Sequence, residues 1–155
     1  LDKSSNDLHG TVSGASVENA PAGDDGLVYE EGTFSPLMTG ITNTNWHTLA
    51  GFYKRVGNLV SFKLIIQTVT GDATNSSNVE ITGLPYTSDS TSNSNGGAYI
   101  TYSSDFDDDD SSSPQFNIEP NTTKIEVFKS TGARFIGTDM DSVTVLLRLN
   151  GQYYT

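Results

Sequence analysis

Between Gly51 and Val69 the chain reads GFYKRVGNLVSFKLIIQTV, its longest apolar and β-branched run. Val60, Phe62, Leu64 and Ile66 share one face of an extended backbone there, and Ser61, Lys63, Ile65 and Gln67 share the other. The first set is wholly apolar and is expected to face a core. Gly57-Asn58 interrupts the run, and a Gly-Asn pair between two such arms predicts a tight hairpin. The same period of two returns at Thr123–Lys129 and at Ser142–Tyr154, where Val143, Val145, Leu147 and Leu149 fall together. A register shift is expected in that last strand at Asn150-Gly151. Ala98–Ser104 reads as a strand with Tyr99 and Thr101 on one face and Ile100 and Tyr102 on the other. Shorter extended pieces are expected at 29–42, at Val79–Gly83, Gln115–Glu119 and Arg134–Gly137, with Pro36 marking a sheet edge or strand end. No segment carries the 3.6-residue period of a helix.

These segments predict an all-β protein of about eight to ten antiparallel strands, arranged as a two-sheet β-sandwich of jelly-roll type. Residues 1–28 are small, polar and aperiodic, and read as an extended arm or linker ahead of a β-sandwich domain at 29–155. Ser88–Gly97 reads as a polar loop of low complexity, and Asp105–Pro114 as an acidic loop.

Composition sharpens this picture in two ways. Only 34% of the 155 residues are hydrophobic, against 15 glycines, which suits many turns and a thin core. A monomer short of core is expected to complete itself by oligomerising. The formal net charge of −11 argues against nucleic acid and anionic membranes as partners. No run approaches the ~18–20 apolar residues of a membrane span, and no stretch reads as a signal peptide. Without cysteine there is neither a disulfide framework nor a thiolate metal site. The chain opens on Leu1 and not Met, so it is expected to be a processed product or part of something longer.

Three motifs in order carry a family resemblance. Tyr29–Pro36 (YEEGTFSP), Gly51–Val60 (GFYKRVGNLV) and Ile81–Tyr86 (ITGLPY) resemble the "YEEGTWTP", "GxYTKVGNLV" and "ITGLPF" segments of C-terminal domains of bacteriophage tail fibres and tailspikes. Phe34 stands where the family commonly has Trp, and Arg55 where it has an aliphatic residue. The resemblance implies a virion appendage domain outside the cell, a homotrimer, structural in role and in contact with host-surface glycans. Residues 2–14 resemble a short segment of laminin-G-like modules, with Ser5 in place of a glycine, and are too few to form one. A decoration protein using its N-terminal arm for assembly, and a fragment of a polysaccharide hydrolase, are the alternative readings.

Candidate chemistry is sparse. Trp46, His47, Tyr99 and Tyr102 are the candidate glycan-binding residues, because aromatic faces stack on the C–H faces of sugar rings; the competing reading of Trp46 is a core or subunit-contact residue. Asp105, Asp107 and Asp109 begin a calcium-loop pattern, but Asp110 and Phe116 occupy the places of its Gly and Glu. A weak calcium site is therefore the one cofactor considered, set against a plain solvated acidic loop. Phe52, Val60, Phe62, Leu64, Ile66, Val145 and Leu147 are expected in the core or a subunit contact. Neither a G-x-S-x-G nor a histidine-based triad is present, so no catalytic residue is assigned and the chain is expected not to be an enzyme.

Overall fold

The computed structural model describes residues 28–72, 76–91, 96–104, 106, 113–140 and 145–155. Nine strands are present among the described residues: β1 (Tyr29–Phe34), β2 (Leu37–Thr39), β3 (Thr42–Val56), β4 (Leu59–Asp72), β5 (Glu80–Thr82), β6 (Gly96–Ser104), β7 (Gln115–Ile118), β8 (Lys124–Phe128) and β9 (Leu146–Tyr154). A single turn of 3-10 helix at Gly137–Asp139 is the one helical element among the described residues.

Where the sequence predicts two separate sheets of jelly-roll type, the strands form one antiparallel ladder in the order β1-β3-β4-β9-β6-β7-β8-β5-β2. The reason is β9, which pairs with β4 on one side and β6 on the other and so carries the hydrogen bonds from one half into the other. The ladder curls into a half-barrel around one apolar cluster, to which β2, β4, β5, β7, β8 and β9 all contribute. The two edge strands, β1 and β2, are consecutive in the chain and separated only by Ser35-Pro36. One short stretch thus spans both ends of the ladder, and Pro36, lacking an N–H, sits at the crossing.

The hairpin forms as the pattern predicts. β3 and β4 pair from Val56↔Leu59 outward, and Gly57 takes a φ of 59°, the positive value that glycine adopts without a steric penalty in a two-residue turn. Val60, Phe62, Leu64 and Ile66 are all buried, as are Val145, Leu147 and Leu149; Val143 lies outside the described residues. A fully buried aliphatic side chain such as Ile66 contributes about 1.5–3 kcal/mol. Phe52 departs from the expected core set: it lies on the opposite face of β3 and is 49% exposed.

Two β-bulges overturn expectations based on strict alternation. The register of β3 against β4 shifts between Trp46 and Thr48, so Trp46 pairs with the buried Thr68 and packs against the core. The register of β6 against β9 shifts between Ile100 and Tyr102, so Tyr102 pairs with Arg148 on the same face as Tyr99. The shift expected at Asn150-Gly151 does not occur. β4 and β9 stay in register throughout, and alternation runs on to the buried Tyr153.

The three motif segments interlock in space. Phe34 pairs with Gly51 and Tyr53 with Gly32, so each glycine faces an aromatic residue on the neighbouring strand. A Cβ on Gly51 would stand 2.4 Å from the Phe34 ring, and one on Gly32 2.8 Å from Tyr53. Glycine opposite an aromatic ring lets the ring lie flat across the backbone. Ile81 pairs with Met38 just beyond the Pro36 crossing. The residues that carry the family resemblance are thus the seam of the fold.

Candidate binding face

The strands β1, β3, β4, β9 and β6 present a continuous outer face opposite the core. Its side chains stand in cross-strand rows fixed by the ladder. One row runs Tyr29, Val56, Leu59, Tyr154; the next Glu31, Lys54, Ser61, Gln152, Gly97; the third Thr33, Phe52, Lys63, Asn150, Tyr99; the fourth Ala50, Ile65, Arg148, Tyr102. Eight large hydrophobic side chains are exposed among the described residues, and six of them lie in these rows: Tyr29, Phe52, Val56, Tyr99, Tyr102 and Tyr154. A groove of about 1120 Å³ crosses the second and third rows.

The rows differ in chemistry. The first is uncharged, with Val56 and Leu59 between two tyrosines, and the Tyr29 hydroxyl donates to Glu31 Oε2 at 2.8 Å. In the third, beyond Thr33, Phe52 and Tyr99 flank Lys63 and Asn150. Three inter-strand spacings put Phe52 and Tyr99 ~14 Å apart. Lys63 Nζ lies 5.2 Å from the centre of the Phe52 ring, and the Arg148 guanidinium 5.5 Å from that of Tyr102. Such cation–π contacts hold the cations in place while their donors still face solvent. Tyr99, 62% exposed, holds its hydroxyl 3.5 Å from Asn150 Nδ2.

At the rim of this half lies a hydrogen-bonded tyrosine cluster. The Tyr53 hydroxyl donates to Glu30 Oε1 at 2.9 Å and lies 3.3 Å from the Tyr86 hydroxyl. Hydrogen bonding from Tyr86 and then Tyr53 holds the Glu30 carboxyl below its ordinary value, and the same contacts push the Tyr53 phenol up. Tyr153 donates to the Tyr86 carbonyl at 3.0 Å and accepts from the Tyr86 amide at 3.2 Å. Burial pushes its phenol up to about 12. These bonds tie β1, β3 and β9 to the segment after β5, a structural clasp.

The outer face of β5 and β8 is built differently. Glu80 and Glu126 are cross-strand neighbours, and like charges so placed repel. Arg134 resolves this by bonding Glu80 Oε1 at 2.8 Å and Glu126 Oε2 at 2.7 Å. Lys124 adds contacts at 2.8 and 3.3 Å. Burial pushes the Glu126 carboxyl up, but hydrogen bonds from Arg134 and Lys124 outweigh it and hold the group below its ordinary value. Alternation along 123–129 sets Glu126 on the face opposite Ile125 and Val127, and its burial has no local signature.

Of the candidate glycan-binding residues, Tyr99 and Tyr102 come together on the outer face. Trp46 does not join them, because its bulge turns it inward. His47 is exposed beside the bulge, with Nδ1 3.1 Å from Thr48 Oγ1. Phe52, Lys63, Asn150 and Arg148 complete the face and were not singled out for it by the sequence pattern; the Lys63 and Arg148 positions on polar faces were the available signal. Asp105, Asp107 and Asp109 lie outside the described residues, and among the described residues no cluster of His, Asp or Glu has the makings of a metal site.

No protein-family model and no curated protein matches the chain. Among solved structures the fold is similar to that of the Dettilon tailspike protein, with a TM-score of 0.63 at 20% identity over 81% of this chain. The chain spans 24% of that tailspike's length. The likeness is one of fold: an all-β, antiparallel domain of the kind found within a phage tailspike.

Proposed function

We propose that this chain is a structural domain of a virion tail appendage, a tail fibre or tailspike, that assembles as a homotrimer and contacts host-surface glycans. The likeness of fold to a tailspike and the three motif segments at the seam support the appendage reading. The observation that carries the rest is the sorting of the outer face. Its end row, Tyr29, Val56, Leu59 and Tyr154, is uncharged and pairs two aliphatic with two aromatic side chains, as suits a contact between copies of an acidic chain. The adjoining groove, with Phe52 and Tyr99 around polar side chains and Tyr102 in the next row, suits a saccharide. No catalytic role is assigned.

Mass photometry of the purified chain tests the assembly: a mass near three chains is expected, and a monomer at micromolar concentration overturns it. Val56→Asp with Tyr154→Asp is expected to yield folded monomers, with the β-sheet circular-dichroism spectrum retained. A glycan array probed with the intact oligomer tests the groove, and Tyr99→Ala is expected to remove its hits. Hits that survive that change place glycan contact elsewhere.

A further inference from the structure

We infer that the groove on the outer face takes a saccharide bearing carboxylates, such as a uronic or sialic acid unit, with Lys63 in its lining and Arg148 in the row beside it as the groups that recognise the charge. The inference rests on the glycan reading above and narrows it to one chemical class.

The argument is an inventory of cations. The chain has only eight lysines and arginines against 19 acidic residues, so each cation has a surplus of partners available. Lys124, Lys129 and Arg134 are used up in ion pairs of 2.6–3.3 Å with Glu80, Glu126 and Asp139. Arg55 lies over the Tyr86 ring and donates to the Gly57 carbonyl at 2.9 Å. The three other cations among the described residues, Lys54, Lys63 and Arg148, all stand on the groove face. Lys54 meets Glu31 only at 3.9 Å. Lys63 and Arg148 stack on Phe52 and Tyr102. Glu31 is the one carboxylate in the four rows, so a chain of net charge −11 presents a locally positive strip there.

The chemistry of that strip selects its occupant. A guanidinium presents a planar fork of donors that matches a carboxylate, and Lys63 adds a point charge one row away. Bare phosphate would satisfy those cations without any use for the aromatic rings beside them. A sugar acid uses both, laying its ring on Tyr99 or Tyr102 and its carboxylate against Arg148 or Lys63. Asn150 and Gln152 carry donors and acceptors for hydroxyls. The ~14 Å between Phe52 and Tyr99 suits an oligosaccharide laid across the strands.

The test uses the full chain in its native oligomeric state. Oligogalacturonate, oligomannuronate and oligosialate are each paired with a carboxyl-reduced counterpart, and binding is measured by calorimetry for the wild type, for Lys63→Gln with Arg148→Gln, and for Tyr99→Ala. At least one acidic oligomer is expected to bind tenfold or more tightly than its reduced form. The double variant, unchanged in melting temperature, is expected to lose that preference, while Tyr99→Ala weakens both forms. Equal affinity for a charged and reduced pair, or a preference that survives the double variant, overturns the carboxylate inference and leaves the glycan reading standing. Absence of binding by all six probes, with the array also blank, overturns both.

Discussion

The two halves of the ladder treat charge in opposite ways. Around β5 and β8, Glu80, Lys124, Glu126 and Arg134 neutralise one another at 2.7–3.3 Å, and Glu126 is buried in the process. Around β3, β4 and β9, Lys63 and Arg148 sit on aromatic rings with their donors turned to solvent. The clamp links β5, three residues long, to β8 and Arg134. On the outer face of the long β3–β4–β9 ladder the tightest ion pair among the described residues is that of Lys54 with Glu31 at 3.9 Å. Position in the fold, not residue type, separates the ion-paired cations from those that stack on exposed rings.

The largest effect is expected where the halves meet. Leu64→Asp places a carboxylate in the shared core and is expected to abolish soluble folded protein, whereas Leu64→Ala costs about 2–5 kcal/mol by chemical denaturation. Next, Arg134→Ala leaves Glu80 and Glu126 facing each other and is expected to cost about 2–4 kcal/mol, with partial rescue by Glu126→Gln. Removing Arg148 in the other half is expected to change stability by less than about 0.5 kcal/mol. Equal costs at the two arginines would erase the contrast.

Tyr153→Phe removes the hydroxyl that bonds both the Tyr86 amide and carbonyl, and is expected to cost about 1–3 kcal/mol. The smallest signal is in acid. Glu126 is held below its ordinary value of 4.5 in the folded chain, so its contribution is complete above that value and is lost as pH falls through the lower folded value. Denaturation measured from pH 7 to 3 is expected to show this loss in the wild type and a flatter profile in Arg134→Ala. Lys63→Gln is expected to leave the profile unchanged.

The sequence by itself determined most of the strands, the Gly57-Asn58 hairpin and the buried face of β4 and β9, because side-chain alternation is a local property of extended backbone; Arg134–Gly137, expected to be extended, forms only isolated bridges and the start of the 3-10 turn. It also marked Gly32 and Gly51 within recognisable motifs without revealing that each accommodates an aromatic ring. Tertiary structure decided the rest. Bulges exist only against a partner strand, and they alone turned Trp46 inward and brought Tyr102 beside Tyr99. The single curled ladder depends on β9 pairing on both sides, and the clamp of Arg134 on Glu80 joins residues 54 positions apart. Such long-range pairings follow from which surfaces bury together, and no local period encodes them.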